Sequence, residues 1–226
     1  MTQRLGLFIC LGLAACAGGT SLDLSAAQLT ADEVREGCVA STLDVMQGVL
    51  DLFAPAAAVD SVDGLAVLAQ EAGCTLILDA AGATYTVSCP GVMVRGEPVA
   101  LMASVTLLAG ERLVVSVQTE GGFFTTEADL ELSVDPERGI VVDGFLHSES
   151  PDGCAVEGTL SNVAVRAIAD LPGVGFGALF TSGSVELDVT HPGLDRMTGT
   201  AALAGRSALV ALEVGGIFSQ GEISLG

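Results

Sequence analysis

The stretch ADLELSVDPERGIVVDGFLHS (128–148) decides the fold. Ala128, Leu130, Leu132 and Val134 fall on every second position, with Asp129, Glu131 and Ser133 between them. Successive side chains of a strand point to opposite faces, so this pattern predicts a half-buried strand with one apolar and one charged face. In DPERG (135–139), Pro136 has the fixed φ that suits a turn, and Gly139 is free to take a positive φ. IVVDGFLHS then runs back, and so short a turn makes the two strands antiparallel.

The same alternation extends outward. In SVELDVTH (184–191), Val185, Leu187 and Val189 share a face, and TGTAALAGRSALVALEV (198–214) reads as a hairpin about Ala204 and Gly205. From Cys74 onward, about ten strands alternate with turn signals. Glu131, Leu132, Val134 and Gly144 are echoed 55 residues on by Glu186, Leu187, Val189 and Gly199, too few matches to define a repeat. Residues 99–108 differ. Val99, Leu101, Ala103, Val105 and Leu107 form one apolar face, while Ala100, Met102 and Leu108 make the other partly apolar. A strand apolar on both faces is expected to be covered on both. Leu101, Met102 and Val105 are therefore the candidates for lining a ligand cavity.

Before Cys74 the period is helical. Val34, Cys38, Val45, Met46, Val49, Leu50 and Phe53 recur at steps of three, four or seven, predicting a helix over 30–53 that ends before Pro55. TADE (30–33) has the form of a capping box at its start. A shorter helix is predicted over 60–72, with Gly73 at its C-terminal cap. The expected fold class is α+β: a single domain over 30–226 in which an N-terminal helix packs on a large, curved antiparallel sheet of about ten strands, arranged as an incomplete barrel or a sandwich.

The amino terminus gives an address. After Arg4, Leu5 to Ala15 is an uncharged run of about 11 residues. That is short of the roughly 20 that span a bilayer, and it fits the apolar region of a secretory signal. It ends in Leu13-Ala14-Ala15-Cys16, which resembles the lipobox of bacterial lipoproteins. The resemblance covers the first 19 residues. It implies a signal peptide over 1–15, a diacylglyceryl thioether on Cys16, cleavage just before it, and acyl chains that anchor the protein to a membrane. Ala17 is not Asp, which resembles the sorting signal for the outer membrane, with the domain facing the periplasm. Residues 16–29 read as a tether. The helix-and-sheet architecture is also loosely similar to the incomplete barrels with helical lids of envelope lipoprotein carriers, although none of their residue motifs is matched.

In an exported chain, Cys38, Cys74, Cys89 and Cys154 suggest two disulfides. CTLILDAAGATYTVSC (74–89) reads as a hairpin with loop 80–83. Pairing Asp79 with Thr84 puts Cys74 opposite Cys89 and leaves Cys38 for Cys154. Four free thiols, or another partner for Cys89, are the alternatives.

The chain holds 28 acidic and 8 basic residues, a net charge of −20, and none of the basic residues is lysine. Such a surface repels phosphate backbones, which excludes nucleic acid as a partner. Tryptophan is absent and there is one tyrosine, which argues against platforms that stack sugars or bases. No motif for a phosphate, dinucleotide, metal or nucleophile site is present, so neither cofactor nor metal is expected and the chain reads as a non-enzyme. SESPDG (148–153) reads as a solvated turn. Three functional readings follow: an envelope protein binding a lipid or other apolar ligand, a scaffold for envelope proteins, and, last, a hydrolase. The hydrolase reading requires His147 or His191 to converge with a serine and an acid.

Overall fold

The computed structural model describes residues 24–58, 62–71, 73–78, 84–94, 97–108, 112–120, 124–168 and 177–225. Cys16 and its leader, the tether up to residue 23, and the 79–83 hairpin loop lie outside them.

Helix α1 (Leu24–Val34), a π-helical turn (Arg35–Val39) and helix α2 (Ala40–Ala58) follow one another without a break. The helix begins six residues before Thr30, inside the stretch expected to be tether. The Thr30 hydroxyl donates to Ala26 O at 3.0 Å, so it is a mid-helix residue and not a cap. Pro55 also lies inside α2, three residues from its end, where the lost hydrogen bond disturbs only the last turn. Helix α3 (Val62–Glu71) closes as expected: Gly73 has φ +72°, and Cys74 N donates to Ala69 O at 2.7 Å.

Eleven antiparallel strands make one sheet whose order follows the chain. They are β1 (Thr75–Leu78), β2 (Thr84–Val94), β3 (Glu97–Leu108), β4 (Arg112–Glu120), β5 (Thr125–Asp135), β6 (Gly139–Glu149), β7 (Ala155–Ile168), β8 (Gly177–His191), β9 (Leu194–Ala204), β10 (Ser207–Val214) and β11 (Ile217–Ser224). The sheet is not closed; β1 and β11 are its edges. The 128–148 hairpin forms as read, except that Val134, at the turn end of its apolar face, is 37% exposed. Ala128, Leu130 and Leu132 are buried, Asp135 accepts from the amides of Glu137 and Arg138, and Gly139 has φ +87°.

The register explains the curvature. One inward-facing row runs through every strand: Leu76, Val87, Ala103, Val117, Ala128, Leu146, Gly158, Leu187, Gly199, Leu212, Ser219. From β3 to β9, each odd strand contributes a small residue between bulkier neighbours, and the edge strand β11 adds Ser219 beside Leu212. Side chains on the inside of a bend converge, and alternating large with small lets them interdigitate without voids or clashes. Gly199 marks the tightest point: a Cβ there would stand 2.0 Å from Ala211 O. Gly144, its partner in the 55-residue echo, behaves alike, with φ +151° and a Cβ position 2.2 Å from Asp129 O.

The bend wraps the sheet around its own helix. Helix α2 packs against β2, β4, β5, β6, β7 and β8, while α1 lies on β9 and β11. Leu43, Leu50 and Phe53 of α2 are at most 2% exposed and join a single core with Leu101, Val105, Leu130 and Leu160. Burying each such side chain stabilises the fold by about 1.5–3 kcal/mol. The helix Ala26–Pro55 is long and apolar enough to cross a membrane, yet 83% of its apolar window is buried inside the protein.

Two expectations for β3 are corrected. Leu101 and Val105 are buried at 2% and 0% exposure, whereas Met102 is 59% exposed. Neighbouring residues of a strand face opposite ways, so the three cannot line one cavity. The second apolar face is not covered either: Ala100, Met102 and Leu108 are all exposed.

Both disulfides join the expected pairs. Cys74 bonds Cys89 beside the register Thr75↔Ser88 to Leu78↔Tyr85. Cys38 bonds Cys154 across 116 residues, tying the helix to the turn before β7.

Gly199→Ala is expected to destabilise the protein by about 1–3 kcal/mol, because the new methyl must push two backbones apart. Thr200→Ala, on the outer face, should stay within about 0.5 kcal/mol. Denaturant midpoints test this, and equal midpoints for the two variants would contradict the packing argument.

Candidate functional site

In a meander every second connection falls at the same end of the sheet, so the turns after β4, β6, β8 and β10 share one end, here called the mouth. The N-terminal part of the helix lies at the mouth, where Cys38 meets Cys154 and the Gln28 amide donates to Phe218 O at 2.9 Å. Asp51 of α2 lies at the opposite end, against the start of β8 and the β9–β10 turn.

Polar side chains pin the helix at both ends. At the mouth, the Arg35 guanidinium donates to Asp32 (2.9 Å), Ser219 (2.7 Å) and Glu36 (2.7 Å), and the Ser219 hydroxyl donates to Asp32 at 2.6 Å. Arg35 is 8% exposed and lies flat on β11, where a Cβ on Gly221 would stand 2.8 Å from its Cζ. At the far end, Asp51 accepts from Ala178 N (2.7 Å), Gln47 Nε2 (2.8 Å) and both Arg206 NH groups (3.1 and 2.9 Å). Gln47 is fully buried and also donates to Ala178 O at 2.9 Å, and its Oε1 has no partner among the described residues. A third polar group lies under the sheet, where the Thr126 hydroxyl shares a 2.7 Å hydrogen bond with Ser148 and the Thr126 amide donates to Thr119.

These pins were not anticipated from the sequence. Asp44, Gln47 and Asp51 interrupt an otherwise apolar helix at steps of three and four, and that signal was available. Arg206 and Ser219 carried none, because their partners lie 155 and 184 residues away.

Between the helix and the mouth turns lies a groove of ≈ 510 Å³. One wall is the helix stripe Thr30, Glu33, Val34, Gly37 and Ser41; the other is Phe124, Ser150, Pro151, Asp152 and His191; the Cys38–Cys154 disulfide lies between. His191 thus does meet a serine and an acid. Their hydrogen bonds are those of a turn, however. The Ser150 hydroxyl donates to Asp152 and accepts from Cys154 N at 3.2 Å, while His191 Nδ1 accepts from Gly193 N at 3.1 Å. An accepting Nδ1 puts the neutral ring's proton on Nε2, so that nitrogen is a donor and not a base. The Ser150 hydroxyl, the Cys154 amide and nearby His191 hold Asp152 below its ordinary pKa of 3.8.

The outer face of the sheet is acidic. Across it, Glu127, His147, Glu157 and Asp188 are successive cross-strand neighbours. His147 thus stands between two carboxylates, with Nδ1 4.0 Å from Glu157, and Glu157 faces a like charge. Arg196 grips Asp188 and lowers its pKa, chiefly by hydrogen bonding. Phe145, Phe218 and Met102 are exposed among these groups. No protein-family model, curated protein or solved structure matches the chain. The functional reading therefore stands on the chain's own residues.

Two outcomes are expected. Arg206→Met should cost stability toward the low end of the roughly 3–5 kcal/mol for breaking a buried pair, since Asp51 keeps its amide donors. Asp32 has its pKa lowered, first by the Ser219 hydroxyl, then by Gln28 and Arg35. A lowered carboxylate adds stability above its unfolded pKa and loses it as pH falls through the folded one. Acid unfolding curves should therefore steepen below about pH 4, and Asp32→Asn should flatten them there. An unchanged acid limb in that variant would contradict the mouth pin.

Proposed function

We propose that the chain is a non-enzymatic lipoprotein of the bacterial envelope, anchored to the outer membrane through Cys16, whose domain binds partners on its surface. The observation that carries this reading is the helix filling the concave face of the sheet. An open curved sheet could hold an acyl chain in that space, but here Leu43, Gln47, Leu50 and Phe53 occupy it. That favours an envelope scaffold over a protein that encloses a lipid. Support for a protein partner comes from the outer face, where exposed Phe145 and Phe218 stand among carboxylates. Lipobox and anchor go together: if α1 begins at Leu24, the chain from Cys16 spans at most about 29 Å, which keeps the mouth near the membrane.

Mass spectrometry tests both halves. The mature protein should begin at a diacylglyceryl-modified Cys16, and Cys16→Ser should abolish the modification. Residues 17–226, secreted into an oxidising periplasm, should carry no stoichiometric lipid. Diacylation of the serine variant would refute the anchor, and a co-purifying lipid would refute the filled-interior reading and restore lipid carriage.

A further inference from the structure

The outer face of the sheet holds a shallow depression of ≈ 610 Å³ that runs across the strands from β6 to β11. Phe145 of β6 marks one end and Phe218 of β11 the other, 42% and 66% exposed. The strands lie in chain order, so five strand spacings, about 24 Å, separate the two columns. Between them stand Glu157 on β7, Glu186 and Asp188 on β8, and Glu213 on β10, over a floor of threonine and alanine. Exposed aromatic side chains that bound a concave surface are a mark of protein interfaces.

The fold does not balance the carboxylates between them. Glu157 and Asp188 face each other directly in the β7–β8 register, where like charges destabilise a sheet. Arg196 engages Asp188, and His147 comes only to 4.0 Å from Glu157. Glu186 and Glu213 meet no cation among the described residues.

Charge selects the occupant. A second copy brings the same net charge of −20 and is repelled, as is an anionic lipid surface. A complementary partner must be basic. The span selects its form, since about seven residues of extended chain cover 24 Å. Alternate side chains of such a segment share a face, so cations four residues apart stand about 14 Å apart. The three strand spacings from Glu157 to Glu213 are also about 14 Å. We propose that this depression docks an extended basic segment of a partner protein. Lysine or arginine side chains at alternate positions reach Glu157, Glu186 and Glu213, and an apolar residue at each end packs on Phe145 and Phe218. The proposal rests on the scaffold reading and gives the chemistry of its partner.

The test titrates two synthetic nonapeptides, acetyl-LSKSKSKSL-amide and its analogue with glutamine for lysine, into the purified mature protein in a non-ionic detergent. NMR shifts at Thr200, Glu213 and Phe218 follow binding. At low salt the lysine peptide should bind about tenfold tighter, since three exposed ion pairs each contribute a little. That advantage should vanish at about 1 M salt. Glu186→Gln combined with Glu213→Gln, both exposed positions, should remove most of it without weakening the glutamine peptide. Phe145→Ala combined with Phe218→Ala should weaken both peptides alike, by about fivefold. A lysine peptide no tighter than its analogue, or one that binds these variants as it binds the wild type, would overturn the docking surface. Such a result in lipid-free protein leaves the scaffold reading standing, whereas a stoichiometric co-purifying lipid strikes the scaffold reading itself.

Discussion

Everything in this fold depends on one constraint: an eleven-stranded sheet with an apolar inner face must cover that face without closing on itself. The chain meets it by bending the sheet around a helix that it has already laid down. The bend is possible because small and large side chains alternate across the strands, down to the Leu146, Gly158, Leu187, Gly199, Leu212 series. A uniformly bulky inner row would flatten the sheet and expose the helix. A uniformly small one would leave voids between them.

Apolar packing alone would let the helix slide or rotate in its trough. The polar groups remove that freedom. Arg35 meets β11 through Ser219, Asp51 meets β8 and Arg206, and Cys38 is covalently joined to the β6–β7 turn. Each contact bridges the amino-terminal helix and the carboxy-terminal half of the chain. The helix is thus held at both ends of the trough by groups that tolerate only one register. With the interior filled, the proposed scaffold role rests on the outer face, where exposed Phe145 and Phe218 stand among carboxylates.

The sequence showed the strands well, because period-two alternation with glycine and proline turns is a local signal. That is why the 128–148 hairpin, the Cys74–Cys89 register and the Gly73 cap appear where they were read. Helix ends were less legible. Thr30 carried a capping pattern but lies within the helix, and Pro55 did not stop it, since tertiary packing outweighed both local preferences. The cavity residues failed for a different reason. Two apolar faces on β3 were read as two covers, whereas Met102 is simply an exposed apolar side chain, which folded surfaces commonly carry. The groove at the mouth was not legible because its walls, the helix stripe on one side and Phe124, Asp152 and His191 on the other, are joined only by the fold.

The central claim is that the helix is an integral part of the core and not a lid over an empty trough. Native-state hydrogen exchange of the α2 amides across residues 43–53 tests it most directly. As part of the core, those amides exchange only through global unfolding, with the same free energy as the central strands β5 to β9. Faster exchange in α2 than in those strands, through an opening that leaves the sheet intact, would show a detachable helix and contradict the account.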